Sequence, residues 1–118
     1  MDRPRIDKYL PLTPTVFDIL LALADGEKHG YAILQAVNGT SNSFSALRAG
    51  TLYRALSRLL DQDLVEELSR RPPPAHDDER RRYYRITALG RNVLRAEVFR
   101  LQQQISGARA KKLVREGS

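Results

Sequence analysis

The sequence predicts a mainly α-helical protein with a small β-hairpin, in the outline of a helix-turn-helix followed by a wing and a long final helix. Three observations carry that expectation. Apolar residues recur at helical spacing in three short segments between Thr13 and Gln62, and two β-rich runs flank a loop that begins RPPP. Leu94, Val98, Leu101, Ile105 and Ala108 then repeat at intervals of 4, 3, 4 and 3.

A chain of 118 residues suits one domain with a modest core. Its net charge of +6 and isoelectric point near 10.1 favour a polyanionic partner. The charge is uneven: through Leu47 four basic residues face five acidic ones, a net −1, so the remainder holds +7. With no cysteine there is no disulfide framework, thiolate nucleophile or cysteine-ligated metal, and a reducing compartment is compatible. No apolar run approaches the roughly 18 to 20 residues that span a bilayer, and the first residues lack the apolar segment of a secretory signal. A soluble cytoplasmic protein with no cofactor or metal is expected.

The first helix is expected from about Thr13 to Ala24, with Thr13 as N-cap and Pro14 at the first helical position. Val16, Ile19, Leu20 and Leu23 form its core stripe, broadened by Phe17 and Leu21, and Asp25 and Gly26 stop it. A second helix follows from His29 or Gly30 to about Val37, with Tyr31, Ile33, Leu34 and Val37 as its apolar side and Asn38 and Gly39 at its end. Ser45 is the expected cap of a third helix running from Ala46 or Leu47 to Gln62.

That third helix is the most informative element. Ala49, Leu52, Ala55, Leu56, Leu59 and Leu60 gather on one side of a helical wheel, and Thr51, Arg54, Ser57, Arg58 and Asp61 on the other. Tyr53 lies on the boundary, its ring able to pack and its hydroxyl able to reach outward. Arginines, hydroxyls and a tyrosine on one exposed face can bind phosphate oxygens and read base edges in a major groove. Taken alone, the same face equally suits an ordinary solvated helix. Gly50 in the first turn is a poor helix former but permits close approach of a phosphate or a neighbouring helix.

Two strands are expected at Leu64 to Arg70 and Arg82 to Thr87, joined by the loop RPPPAHDDERR. Arg70 and Arg71 on one side and Arg80, Arg81 and Arg82 on the other suit a hairpin straddling a phosphate backbone. Asp77, Asp78 and Glu79 offset part of that charge, and a hairpin whose arginines merely pair with these acids is the competing reading. Neither His29 nor His76 has partners that make a catalytic or metal site; His29 reads as a helix-start residue and His76 as an exposed loop residue. Tyr31 and Tyr83 read as packing residues.

After Thr87 as N-cap, a long helix is expected from Ala88 to about Ser106, resuming beyond Gly107 toward Arg115. Its heptad seam of Leu94, Val98, Leu101 and Ile105 could pack back on the same chain, but a trailing helix leaves such a seam wet unless a partner covers it. A homodimer is the expectation.

In order and spacing, TP at Thr13 and Pro14 followed by FDILLAL, HGYAI from His29 to Ile33, GTLYRALSRL from Gly50 to Leu59, and RRYYRITALGR from Arg81 to Arg91 resemble the PadR family of bacterial transcriptional regulators. The resemblance implies a winged helix-turn-helix with a C-terminal dimerisation helix, so residues 1–87 are expected to bind DNA and residues 88–118 to dimerise. It places Gly50, Thr51 and Tyr53 on the motif that opens the DNA-reading helix, and Tyr84 on the tyrosine of the second wing strand. Arg54 departs from the proline of many relatives, and the acidic, triple-proline wing is a second departure.

The expected function is therefore a sequence-reading regulator, a repressor acting as a homodimer on an inverted repeat of double-stranded DNA. Thr51, Arg54, Ser57 and Arg58 are the expected groove contacts, with Tyr53, Tyr84, Arg80, Arg81 and Arg82 holding phosphates. The resemblance also implies a small aromatic effector at the dimer interface, although this chain has no tryptophan to stack on one. The competing class is a winged-helix module docking an acidic protein. No acid/base pair, nucleophile motif, phosphate loop or metal spacing points to an enzyme, and the C-terminal helix is a poor membrane binder.

Overall fold

A computed structural model describes residues 3–40, 46–70 and 81–115. In chain order these form α1 (Arg3–Asp7), α2 (Pro14–Leu23), β1 (Lys28–His29), α3 (Gly30–Thr40), α4 (Ala49–Asp61), β2 (Val65–Arg70), β3 (Arg81–Ile86) and α5 (Ala88–Ala110). The strands make one antiparallel sheet in the order β1-β3-β2. Helices supply most of the structure, and the sheet adds Val65, Tyr84 and Ile86 to the same core.

Helix α2 starts as its sequence requires. The Val16 N–H donates to Thr13 Oγ1 at 3.2 Å, and Pro14 occupies the first turn, where a missing N–H costs nothing. Ile19, Leu20 and Leu23 are buried. Leu21 instead stands half exposed, so the apolar stripe is narrower than the sequence suggests.

His29 sets the start of α3: its Nδ1 accepts the Ala32 N–H at 3.3 Å. The preceding pair Lys28–His29 adds a third strand beside β3 that no sequence pattern announced. Helix α3 runs on to Thr40 through Asn38 and Gly39, which were expected to end it. Asn38 sends its side chain to the backbone of Leu47 rather than capping its own helix.

Helix α4 starts at Ala49 after Arg48, later than expected; Arg48 makes no side-chain cap bond, and Ser45 lies outside the described residues. Leu52, Leu56 and Leu59 are fully buried, Ala55 and Leu60 pack at the edge of the core, and Ala49 is exposed. The helix closes in a Schellman arrangement around Asp63, whose φ is 61°: Leu64 N–H donates to Leu59 O at 3.0 Å and Asp63 N–H to Leu60 O at 3.1 Å. That turn feeds β2, which pairs with β3 from Val65↔Ile86 to Arg70↔Arg81.

Thr87 is the cap of α5 and also its anchor. Its Oγ1 accepts the Gly90 N–H at 2.9 Å and donates to Asp63 O at 2.6 Å, while its own N–H donates to Leu64 O at 3.1 Å. Helix α5 continues unbroken through Gly107 to Ala110. Its early turns belong to the shared core: Val93 and Leu94 join Leu20, Leu23, Ile33, Leu56 and Ile86 in one buried cluster. The division after residue 87 therefore cuts through a packed unit.

Helix α1, also unforeseen, covers another side of α5 by burying Ile6. Five residues carry too little periodicity to be read as a helix. The segment is pinned at its far end by Glu97, only 2% exposed, whose Oε2 accepts the Leu12 N–H at 2.9 Å. Arg100 completes that site, its Nε and Nη2 donating to the same carboxylate at 2.5 and 3.0 Å. This charge-assisted bonding, opposed by burial, holds the Glu97 carboxyl below the ordinary carboxylate range.

Candidate nucleic-acid interface

The burial of Leu52, Leu56 and Leu59 turns the opposite face of α4 outward, and Thr51, Arg54, Ser57, Arg58 and Asp61 are all exposed there. Arg54 Nη2 donates to Thr51 Oγ1 at 3.3 Å, a single exposed hydrogen bond that leaves most of the guanidinium's donors facing solvent. A β-carbon at Gly50 would meet only Arg54 Nη1, at 3.6 Å, an ordinary contact. Among the described residues no neighbouring helix crowds this glycine. Arg48 is exposed immediately before the helix and extends its cationic face by one residue. It was missed because it falls in the linker, outside the helical pattern.

Tyr53 is half exposed, and its hydroxyl lies directly over Gly30 at the start of α3. The glycine of HGYAI and the tyrosine of GTLY are thus two halves of one contact. Tyr53 uses its hydroxyl end to seat α4 on α3, while the open part of its ring borders the polar face.

Tyr84 departs from the expected phosphate contact. It is only 3% exposed, because alternation along β3 directs it with Ile86 into the core. Burial, together with the nearby Glu67 carboxylate, pushes its hydroxyl above the ordinary phenol range, opposed in part by a hydrogen bond to Arg82. Of the β3 residues whose exposure is described, Arg82 and Arg85 face solvent, although Arg82 shares its side of the strand with Tyr84. Arg82 lies 3.6 Å from Glu67, with its side chain 72% exposed, and Arg85 pairs with Glu66 at 3.1 Å. Such exposed pairs contribute only about 0 to 1 kcal/mol. Arg81 takes its place at the end of the hairpin opposite Arg70. Arg71, Arg80, Pro72 to Pro74, His76, Asp77, Asp78 and Glu79 lie outside the described residues.

Tyr83 packs as expected, its ring edge-on to His29 with centroids 5.5 Å apart. Tyr31 does not: it is 63% exposed on the outer side of α3, while Ile33 and Val37 take the buried positions.

On α5 the seam divides. Leu94 is buried in the chain's own core, so it is not free to meet another surface. Val98 and Ile105 are exposed and Leu101 partly so; with Phe17 of α2 they line an open apolar groove of about 470 Å³. A second cleft of about 530 Å³ lies between α1 and α5, walled by Ile6, Leu10, Ala96 and Phe99. Among the described residues no helix is long and apolar enough to cross a membrane.

Three helices with a protruding third, a hairpin beside it and a long helix closing the core define a winged helix-turn-helix. The sequence model of the Transcriptional regulator PadR-like family matches residues 19–96, and the chain belongs to that family. Among solved structures it is similar to a PadR family transcription regulator from Clostridium difficile R20291, at 22% identity over 83% of this chain and 97% of that one, with a TM-score of 0.72. It is similar also to a transcriptional regulator from Clostridium thermocellum, at 22% identity over 98% and 99% of the two chains, TM-score 0.64. Bacillus subtilis PadR, in complex with operator DNA, matches at 20% identity over 70% of this chain and 45% of its own, TM-score 0.61. These likenesses are likenesses of fold. No curated protein sequence matches the chain.

Proposed function

We propose that this PadR-like regulator reads operator DNA as a homodimer and represses by occupying promoter sequence in the cytoplasm. The observation that carries the reading is α4: one face locked in the core by Leu52, Leu56 and Leu59, the other presenting Thr51, Arg54, Ser57 and Arg58 unobstructed. A helix anchored in this way can enter a major groove without losing its fold, with its first turns toward the bases. The operator complex of Bacillus subtilis PadR supports DNA as the partner.

In this reading Arg54 and Arg58 provide bidentate donors to base edges, and Thr51 and Ser57 adaptable hydroxyls. Arg82 lies on the adjoining hairpin as a phosphate contact, and Arg80 and Arg81 extend that contact into the wing. The groove of Phe17, Val98, Leu101 and Ile105 is covered by the second copy, pairing two reading helices for an inverted repeat. Residues 1–87 then carry DNA binding, and residues 88–118 join the copies while their first turns complete the core. A small aromatic effector would bind at the dimer interface; beside it on α5, the α1–α5 cleft has the size for one, with Ile6, Leu10 and Phe99 as apolar walls and Asp7, Arg100 and Gln103 as polar ones.

Fluorescence anisotropy on the protein's own upstream DNA and on a shuffled duplex, across a salt series, tests the function. A preference of about a thousandfold for the upstream duplex is expected. Absence of binding to either at low salt would replace it with docking of an acidic protein.

A further inference from the structure

We propose that Asn38 is a positioning residue for base reading: it clamps the backbone of Leu47 and thereby fixes the angle at which α4 leaves the turn. The inference rests on the DNA-reading function proposed above. Its carboxamide meets the two polar backbone groups of a single residue nine positions away, Oδ1 accepting the Leu47 N–H at 2.7 Å and Nδ2 donating to Leu47 O at 3.1 Å. Asparagine suits this task because one short side chain carries both a donor and an acceptor.

Among the described residues no second side chain caps the start of α4. Arg48, the N-cap residue, makes no side-chain cap bond, and Ala49, Gly50 and Thr51 are exposed. Leu47 itself is partly buried against the core. Held by its side chain and by both its peptide groups, Leu47 sets the direction in which Arg48 and the first turn of α4 project. Both hydrogen bonds are exposed, so water replaces much of their strength when they are lost. Their value lies in orientation, and discrimination between bases depends on orientation more steeply than does attraction to phosphate.

The test starts with the wild-type chain selecting its preferred duplex from a randomised pool. Binding of that duplex and of a shuffled one is then measured for wild type, Asn38→Ala and Asn38→Asp. Asn38→Ala is expected to lower the preference ratio about tenfold, with shuffled-duplex affinity held within about twofold and an unchanged salt slope, since no charge is removed. Amide exchange at Leu47 should accelerate in the same variant. Asn38→Asp keeps the acceptor for the Leu47 N–H. It sets a second carboxylate oxygen against Leu47 O where Nδ2 donated, so it should lose much of the ratio as Asn38→Ala does, and its added negative charge should in addition weaken both duplexes alike. A wild type that reads sequence and an Asn38→Ala variant that reads it equally well would overturn the role of Asn38 alone. A wild type that selects no duplex would overturn DNA reading and this role with it.

Discussion

The hydroxyl of Tyr53 stands over Gly30 so closely that a β-carbon at Gly30 would overlap it and lie 2.7 Å from the ring's Cζ. This contact joins the first residue of α3 to α4, and it gives the glycine a steric reason independent of backbone conformation.

Gly30→Ala should therefore displace the Tyr53 ring rather than unfold the chain. The ring is half exposed and can swing toward solvent, and alanine's better helix propensity returns up to about 1 kcal/mol. We expect little change in thermal midpoint but about tenfold weaker DNA binding. Tyr53→Ala on that background should add nothing, as coupled neighbours do; additive losses in a double-mutant cycle would disprove the contact.

Gly90→Ala is the opposite case. There the new methyl would overlap Leu64 O, a backbone atom, and approach Ile86 Cγ1 to 2.9 Å. Backbone cannot swing aside, so a loss of about 2 kcal/mol or more is expected in urea unfolding. A loss within experimental error would show that α5 can shift at its first turn.

Glu97 predicts a pH dependence. Its folded carboxyl titrates below the ordinary value of 4.5, chiefly through the Arg100 hydrogen bonds. The stabilisation is thus complete above that ordinary value and is lost as pH falls through the lower, folded one. Glu97→Gln should cost about 2 kcal/mol at neutral pH and progressively less in acid. Unfolding curves at pH 7 and pH 3 that show the same gap between variant and wild type would refute this.

Arg54→Ala and Arg82→Ala should separate reading from holding. The first is expected to relax base preference by about 1 to 3 kcal/mol, the second to weaken all duplexes similarly and reduce the salt slope by about one. Identical losses on preferred and shuffled DNA for Arg54→Ala would reject its base-reading role.

Replacing Leu101 and Ile105 with Asp should yield monomers of unchanged fold, because neither residue is part of the buried core. Sedimentation velocity checks the mass and circular dichroism the helix content. A dimer that persists would reject this seam as the interface.

The main helices and the hairpin were legible because each follows a strong local rule. Thr13-Pro14 and Thr87 are caps, and the spacing of Leu52, Leu56 and Leu59 allows only one buried face. What escaped was short or depended on distant partners. Lys28–His29 has two residues, too few for alternation to register, and becomes a strand only because β3 lies beside it. Glu97 reads as one more charged helical position until Leu12 and Arg100 are seen around it. Tyr84 carried a family association with the wing, but strand alternation turned it inward. At the interface, the outward face of α4 was readable from its period, whereas Arg48 and the Asn38 clamp required the turn in three dimensions.

Thr87 ties the root of α5 to Asp63 and Leu64, at the point where α4 hands over to the hairpin. The helix is then fixed in the core as far as Glu97, so the length that projects beyond it, from Val98 to Ala110, is a rod about 20 Å long. A rocking of roughly 9° where it leaves the core sweeps the free end through about 3 Å, close to the rise of one base pair. The exit beside Glu97 is thus the fulcrum of a lever, and in a paired assembly its stiffness would set how tightly the spacing between two half-sites is gauged.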